Sequence, residues 1–127
     1  MCHQTVSLVA RHLEANGLST VIMGAAKDIV EHCGVPRFLF SDFPLGNSAG
    51  RPFDTASQAQ TLELALRVLE SAPAPRTTVQ SPLRWSADAA WKADYLNLGK
   101  LSPEVIAERR KEFDEVKGIA RAKREAT

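Results

Sequence analysis

Apolar residues between Thr5 and Asn16 fall at Val6, Val9, Ala10 and Leu13, a spacing that predicts an amphipathic helix with one buried stripe. Gly17 is a natural C-terminal stop for it. Leu18 to Met23 reads as a strand, because Val21, Ile22 and Met23 form a continuous apolar run of the kind that suits a strand covered on both faces. After Gly24 a short helix is expected from about Ala26 to Cys33, ended by Gly34 and reinforced by Pro36. Phe38, Leu39 and Phe40 make Arg37 to Ser41 a second buried strand. The order helix–strand–helix–strand, with a crossover too long for a hairpin, predicts parallel strands.

The segment Asp42 to Pro52 is a Gly/Pro-rich loop leaving the carboxyl end of the second strand. Asp54 or Thr55 can cap the next helix, about Ala56 to Ser71, with Leu62, Ala65, Leu66 and Leu69 as its stripe. Pro73 to Pro82 reads as an irregular connector. Leu83 to Leu98 carries Trp85, Trp91 and Tyr95, and the last two can share a helix face. Ser102-Pro103-Glu104 is a strong helix start; the helix should run to about Arg121, with a thin apolar stripe of Ile106, Phe113, Val116 and Ala120. The expected fold is α/β, a short parallel sheet flanked by helices in a partial Rossmann-like arrangement. Residues 1–72 form the core, and residues 73–127 form a connector and helical C-terminal extension. Two parallel strands make a poor sheet, since sheets commonly have about four to six. A partner chain or an upstream segment is expected to complete it.

Composition narrows the function. The 127 residues are 44% hydrophobic and 24% charged with a formal net charge of +1, so neither disorder nor a nucleic-acid footprint is indicated. No apolar run approaches the roughly 18 residues of a membrane span, and no secretory signal is legible. Two cysteines are too few for a disulfide scaffold, which makes a reducing cytoplasm the default. No Gly-rich phosphate loop is present, so no nucleotide or other cofactor is called for.

The candidate chemistry starts at Cys2, immediately before the first helix, where a helix N-terminus favours a thiolate. The bland alternative is a terminal cysteine without a role. His3 could assist the thiol by charge, but a neighbouring side chain on an extended segment often points the other way and His3 is expected to be solvated; Cys33 is expected to be a small buried hydrophobe. The adjacent pairs Cys2-His3 and His32-Cys33 turn poorly toward one zinc ion, and no metal site is expected. In the loop, Asp42, Gly46, Asn47, Ser48 and Arg51 are candidate substrate-binding residues. They follow a parallel strand, where open α/β sheets bind ligands, and Asn47, Ser48 and Arg51 offer donors for a carboxylate. The alternative is a structural turn packed by Phe43 and Leu45. The aromatics of Leu83 to Leu98 suit packing or docking to a second subunit. The charged terminal helix suits a solvated face, or pairing with a partner helix.

These residues also carry a family resemblance. The chain is similar to the C-terminal part of the selenoprotein B subunits of the glycine, sarcosine, betaine and D-proline reductases, and closest to their cysteine-containing relatives. In that family a selenocysteine (or cysteine)-x-x-cysteine motif precedes a helix, a G-I-P turn with a strand, and later a P-L-G-N loop. Cys2 falls on the motif's final cysteine when Gly17-Leu18-Ser19 is laid on the turn. The run from Gly34 through Pro44-Leu45-Gly46-Asn47 matches the later part. The first redox residue would then lie upstream of Met1. The resemblance implies an oxidoreductase of amino-acid metabolism that cleaves a carbon–nitrogen bond reductively. The missing residue would be the nucleophile and Cys2 the resolving thiol. The substrate would be a small amino acid or amine derivative, and the partner another protein chain or a second copy. The alternative is a non-catalytic subunit that completes its sheet with a partner.

Overall fold

Six elements follow one another in the first part of the chain: α1 (Cys2–Ala15), β1 (Ile22–Gly24), α2 (Lys27–Cys33), β2 (Arg37–Phe40), α3 (Thr55–Ser71) and β3 (Thr77–Gln80). They belong to one unit, Met1–Ala87. A second unit, Asp88–Thr127, holds α4 (Trp91–Asp94) and α5 (Pro103–Glu125). The structure is a computed structural model that describes residues 2–94, 99 and 101–125. Tyr95 and the side chains of Val116 and Ala120, expected to share apolar faces, lie outside the described residues.

The sheet is parallel, in the order β1-β2-β3. Ile22, Met23 and Gly24 pair with Phe38, Leu39 and Phe40, and Arg37 to Phe40 pair with Thr77 to Gln80. The third strand corrects the expectation of an irregular connector from Pro73 to Pro82. Thr77-Thr78-Val79 is a β-branched run that fits a pleated edge. Its half-exposed side chains give neither alternation nor an apolar run, so periodicity passed over it. Among the described residues the sheet therefore has three strands rather than two.

Alternate strand residues face opposite layers. Ile22 and Phe38 pack with Ala10 of α1, with Val30 of α2 and with Val35 just beyond it. Leu39 packs on the other face with Ala65 and Val68 of α3, and Met23 and Val21 pack against that cluster. The β1–β2 crossover thus runs over one face and the β2–β3 crossover over the other, while the strand order advances one way. The two consecutive crossovers are consequently of opposite hand, a departure from the usual right-handed rule.

Two helices bury only part of the stripe their apolar residues mark. In α1 the buried residues are His3, Ser7 and Ala10, while Val6 and Val9 are 44% and 52% exposed. In α3 they are Ser57, Thr61, Ala65 and Val68, while Leu62 and Leu66 are 53% and 50% exposed. In both cases the alanine of the expected stripe, Ala10 or Ala65, is buried as expected, while the larger apolar residues beside it stay exposed and the buried row passes about one residue, roughly 100° of helix, from them. The reason is size: Ser, Thr and Ala let a helix backbone lie close to the sheet. Thr61 also satisfies its hydroxyl internally, donating to the Ser57 carbonyl at 2.8 Å.

The caps of α2 and α3 follow their sequence signals. Gly34 closes α2 in the left-handed conformation, φ 73° and ψ 47°, its N–H donating to Val30 and Glu31 carbonyls. Asp54 caps α3, accepting the Ser57 N–H at 3.0 Å. The first strand begins at Ile22 rather than Leu18, because Leu18 and Thr20 donate to α1, to the Leu13 carbonyl and the Glu14 carboxylate. In the second unit Ser102 caps α5 through the Val105 N–H, at 3.3 Å. There Ile106 and Phe113 are exposed, and the helix extends to Glu125, past the expected end near Arg121.

Candidate functional site

The first turn of α1 lies against the carboxyl end of β1. His3 Nε2 accepts the backbone N–H of Ala25, just beyond β1, at 3.1 Å. The ring is buried at 7% exposure, which corrects the expectation that His3 is solvated. It is accommodated because Gly24 has no side chain: a methyl group there would approach His3 Cδ2 and Phe38 Cε2 to 3.0 Å. His3 Nδ1 lies 3.7 Å from Cys2 Sγ. Cys2 is exposed and is the first residue of α1 itself, rather than of the segment before it. A thiol is therefore held at the end of the sheet where open α/β folds bind ligands, with an imidazole behind it.

A cavity of about 590 Å³ opens at the same end of the sheet, on the face covered by α3. Its wall combines Met23 of β1, the loop residues Gly46, Asn47 and Gly50, and Gln58 and Leu62 of α3. The volume is in the range of small-molecule sites. Of the candidate binding residues, Gly46 and Asn47 line it; Asp42, Ser48 and Arg51 do not. Asn47 spends a side-chain N–H on the Pro44 carbonyl at 3.2 Å. The Arg51 guanidinium pairs with Asp54 at 2.7 Å, its backbone N–H donates to Ser57 Oγ at 2.9 Å, and its carbonyl accepts from Gln58 at 3.0 Å. Cys2 is not part of the cavity wall.

The loop is anchored tightly to α3. Gly50 has φ 104°, and a Cβ there would stand 2.8 Å from the Gln58 backbone, so only glycine fits. Gly46, with φ 94°, has open space where a Cβ would be. Phe43 is buried and meets Trp85 edge-on, with ring centroids 5.5 Å apart. Phe53 also takes a positive φ of 58°, rare for a bulky residue, and its side chain is fully exposed beside the loop.

Two carboxylates are shifted. The Ser57 N–H, followed by Arg51, holds the Asp54 carboxyl below its ordinary value. For Glu14 burial opposes the charge, but the Thr20 hydrogen bonds and Arg37 outweigh it and the carboxyl also sits low. Both serve as scaffold, one capping α3 and the other tying α1 to β2. Cys33 is half-buried rather than fully buried, in a groove between α1 and α2 with Gln4, Asp28, Ile29 and His32. Residue types alone did not single out Met23, Gln58 or Leu62, and left His3 as a solvated neighbour of Cys2. The one legible signal was Gly24, a glycine ending an apolar strand beside a close neighbour.

No family model matches the chain, and no solved structure matches it. Among curated proteins, the D-proline reductase subunit gamma of Acetoanaerobium sticklandii is 29% identical over 86 residues, 68% of this chain. The chain spans 36% of that relative's length. It is thus a distant relative of a reductase subunit. Among the described residues no helix is long and apolar enough to cross a membrane.

Proposed function

We propose that the chain is a thiol-bearing part of a reductase of the glycine, sarcosine, betaine and D-proline type, related to their selenoprotein B subunits, in which Cys2 is the resolving thiol. The observation that supports this reading above the others is the seat of Cys2 on the first turn of α1, at the carboxyl end of a parallel strand. The distant D-proline reductase relative supports the reductase part of this reading. The substrate is a small amino or imino acid, with the Asp42 to Arg51 loop and the cavity beside it as its binding region.

The chemistry balances with thiols alone. A thiolate or selenolate on a partner segment attacks the α-carbon, the carbon–nitrogen bond breaks, and nitrogen leaves with its electron pair and takes a proton. Cys2 then attacks the chalcogen of the resulting thioether or selenoether. A disulfide or selenyl sulfide forms, and the carbon leaves with the pair and is protonated. The substrate is reduced by two electrons and an external dithiol restores the pair. No metal or cofactor enters these steps, and the cytoplasm is a fitting compartment.

The test is made in cells that carry the gene. Extracts of the wild type, a Cys2→Ser strain and a Cys33→Ser strain are supplied with dithiol and with D-proline, glycine, sarcosine or betaine, and products are quantified by NMR. Loss of one activity in Cys2→Ser alone supports the reading; four activities unchanged in that strain overturn it.

The displaced helix rows favour a second reading, a subunit that completes its sheet with another chain. In α1 the row Cys2, Val6, Val9 and Leu13 lies on the flank away from Gln4 and Arg11, which face α2. In α3 Leu62 joins Met23 of β1 in the cavity wall. Exposed apolar residues on both helices therefore flank β1, an edge strand. A strand added there from a reductase subunit segment would cover both rows. A monodisperse monomer that stays monomeric with the candidate partner chain counts against it.

A further inference from the structure

We infer that His3 is the positioning residue of Cys2, presenting a ring N–H to the thiol sulfur in a tautomer dictated by the backbone at the end of β1. The inference rests on the reading of Cys2 as a working thiol and adds the group that aims it. The backbone N–H of Ala25 is only a donor, and it points at His3 Nε2 at 3.1 Å. In the neutral ring Nε2 must therefore supply the lone pair, and the hydrogen resides on Nδ1. Nδ1 is the nitrogen next to Cys2 Sγ, at 3.7 Å, so the N–H is directed at sulfur and sulfur accepts. The opposite ring orientation would set a carbon against the Ala25 N–H and leave that half-buried donor without this partner.

The ring is also held in place. It is buried, and its Cδ2 and Nε2 stand 3.0 and 3.3 Å from where a Cβ on Gly24 would lie. Glycine at that strand end is what lets the imidazole sit flush with the backbone it binds. The chain of contacts runs from the sheet backbone through a fixed ring to an otherwise exposed thiol, which gives one sulfur lone pair a defined partner. The attacking pair is then directed outward, toward whatever approaches the carboxyl end of the sheet. This is the work expected of a group that orients a resolving thiol without touching the substrate.

The test reads the ring first. A long-range proton–nitrogen correlation spectrum of the full chain, with His3 assigned by comparison with His3→Gln, should show hydrogen on Nδ1 and a bare Nε2; hydrogen on Nε2 overturns the inference. The second arm uses two substitutions that split the ring's duties. In His3→Gln the amide oxygen replaces Nε2 as acceptor for Ala25 and the donor to sulfur is lost. In His3→Asn the amide nitrogen replaces Nδ1 as donor. Alkylation of Cys2 by iodoacetamide at neutral pH is followed by peptide mass, which separates it from Cys33. A fall of about threefold to tenfold in His3→Gln, with recovery in His3→Asn, is expected for loss and return of one hydrogen bond to sulfur. Equal rates in the three proteins overturn the inference. If His3→Gln does not fold, His3 is assigned by sequential connectivity and the wild-type spectrum decides alone. Retained reductase activity in Cys2→Ser would instead overturn the reading of the thiol while leaving the ring's tautomer as measured.

Discussion

Gly24 and His3 occupy one space: the imidazole edge lies 3.0 Å from the point where a side chain on Gly24 would begin. Phe38, fully buried in the core, is equally close on that side. Gly24→Ala should therefore overpack the site and destabilise the first unit by about 1–3 kcal/mol. Urea denaturation followed by circular dichroism measures it, and an unchanged midpoint would show that the ring has room to move.

The loop glycines should differ sharply from one another. Gly46→Ala meets no neighbour and carries only the strain of a positive φ, a cost of about 1 kcal/mol. Gly50→Ala adds a collision with the Gln58 backbone at 2.8 Å and should cost about 3 kcal/mol or more. Thermal melts of the two variants give the order, and equal melting temperatures would contradict the tight seat of the loop on α3.

Glu14 makes stability depend on pH. Its carboxylate takes the Thr20 donors and the Arg37 guanidinium, the latter at 2.9 Å, and its folded-state value is lowered. With the folded value below the unfolded one, the stabilisation is complete above the ordinary carboxylate range and disappears as pH falls through the folded value. Glu14→Gln should cost about 1 kcal/mol at neutral pH and flatten the loss of stability on acidification below about pH 5. Denaturant midpoints measured across that interval for both proteins test the slope.

The buried and exposed rows of the helices respond oppositely to size. Ala65 is almost fully buried against Leu39, so Ala65→Leu should destabilise by about 1–3 kcal/mol. Leu66, its neighbour, is half exposed, and Leu66→Ala in the isolated chain should change stability by no more than about 0.5 kcal/mol. Val9→Gln and Leu62→Gln should be equally mild alone while weakening association with a chain that covers β1. Denaturation of the isolated chain and titration with that chain separate the two effects.

Some of the architecture is written locally. Gly34 and Asp54 end and begin helices because one residue's backbone freedom or side-chain oxygen satisfies nearby backbone groups. The apolar runs Val21-Ile22-Met23 and Phe38-Leu39-Phe40 announce buried parallel strands, and the Gly/Pro-rich loop after the second announces a turn at the carboxyl end of the sheet. The seat of Cys2 on α1 and the place of Gly46 and Asn47 in a cavity wall follow from the same order of elements. Tertiary structure decided what local pattern could not carry. Hydropathy placed Ala10 and Ala65 correctly in the buried stripes, but it also placed Val6, Val9, Leu62 and Leu66 there, and the sheet took Ser7 and Thr61 instead, because small side chains allow a closer approach. Thr77-Thr78-Val79 became a strand only because β2 offered an edge. His3 looked like a solvated neighbour of Cys2, and became its buried support because Gly24, 21 residues further along the chain, left the space and Ala25 supplied the hydrogen bond. Burial is a property of the neighbours a residue acquires, and those neighbours exist only once the chain has folded.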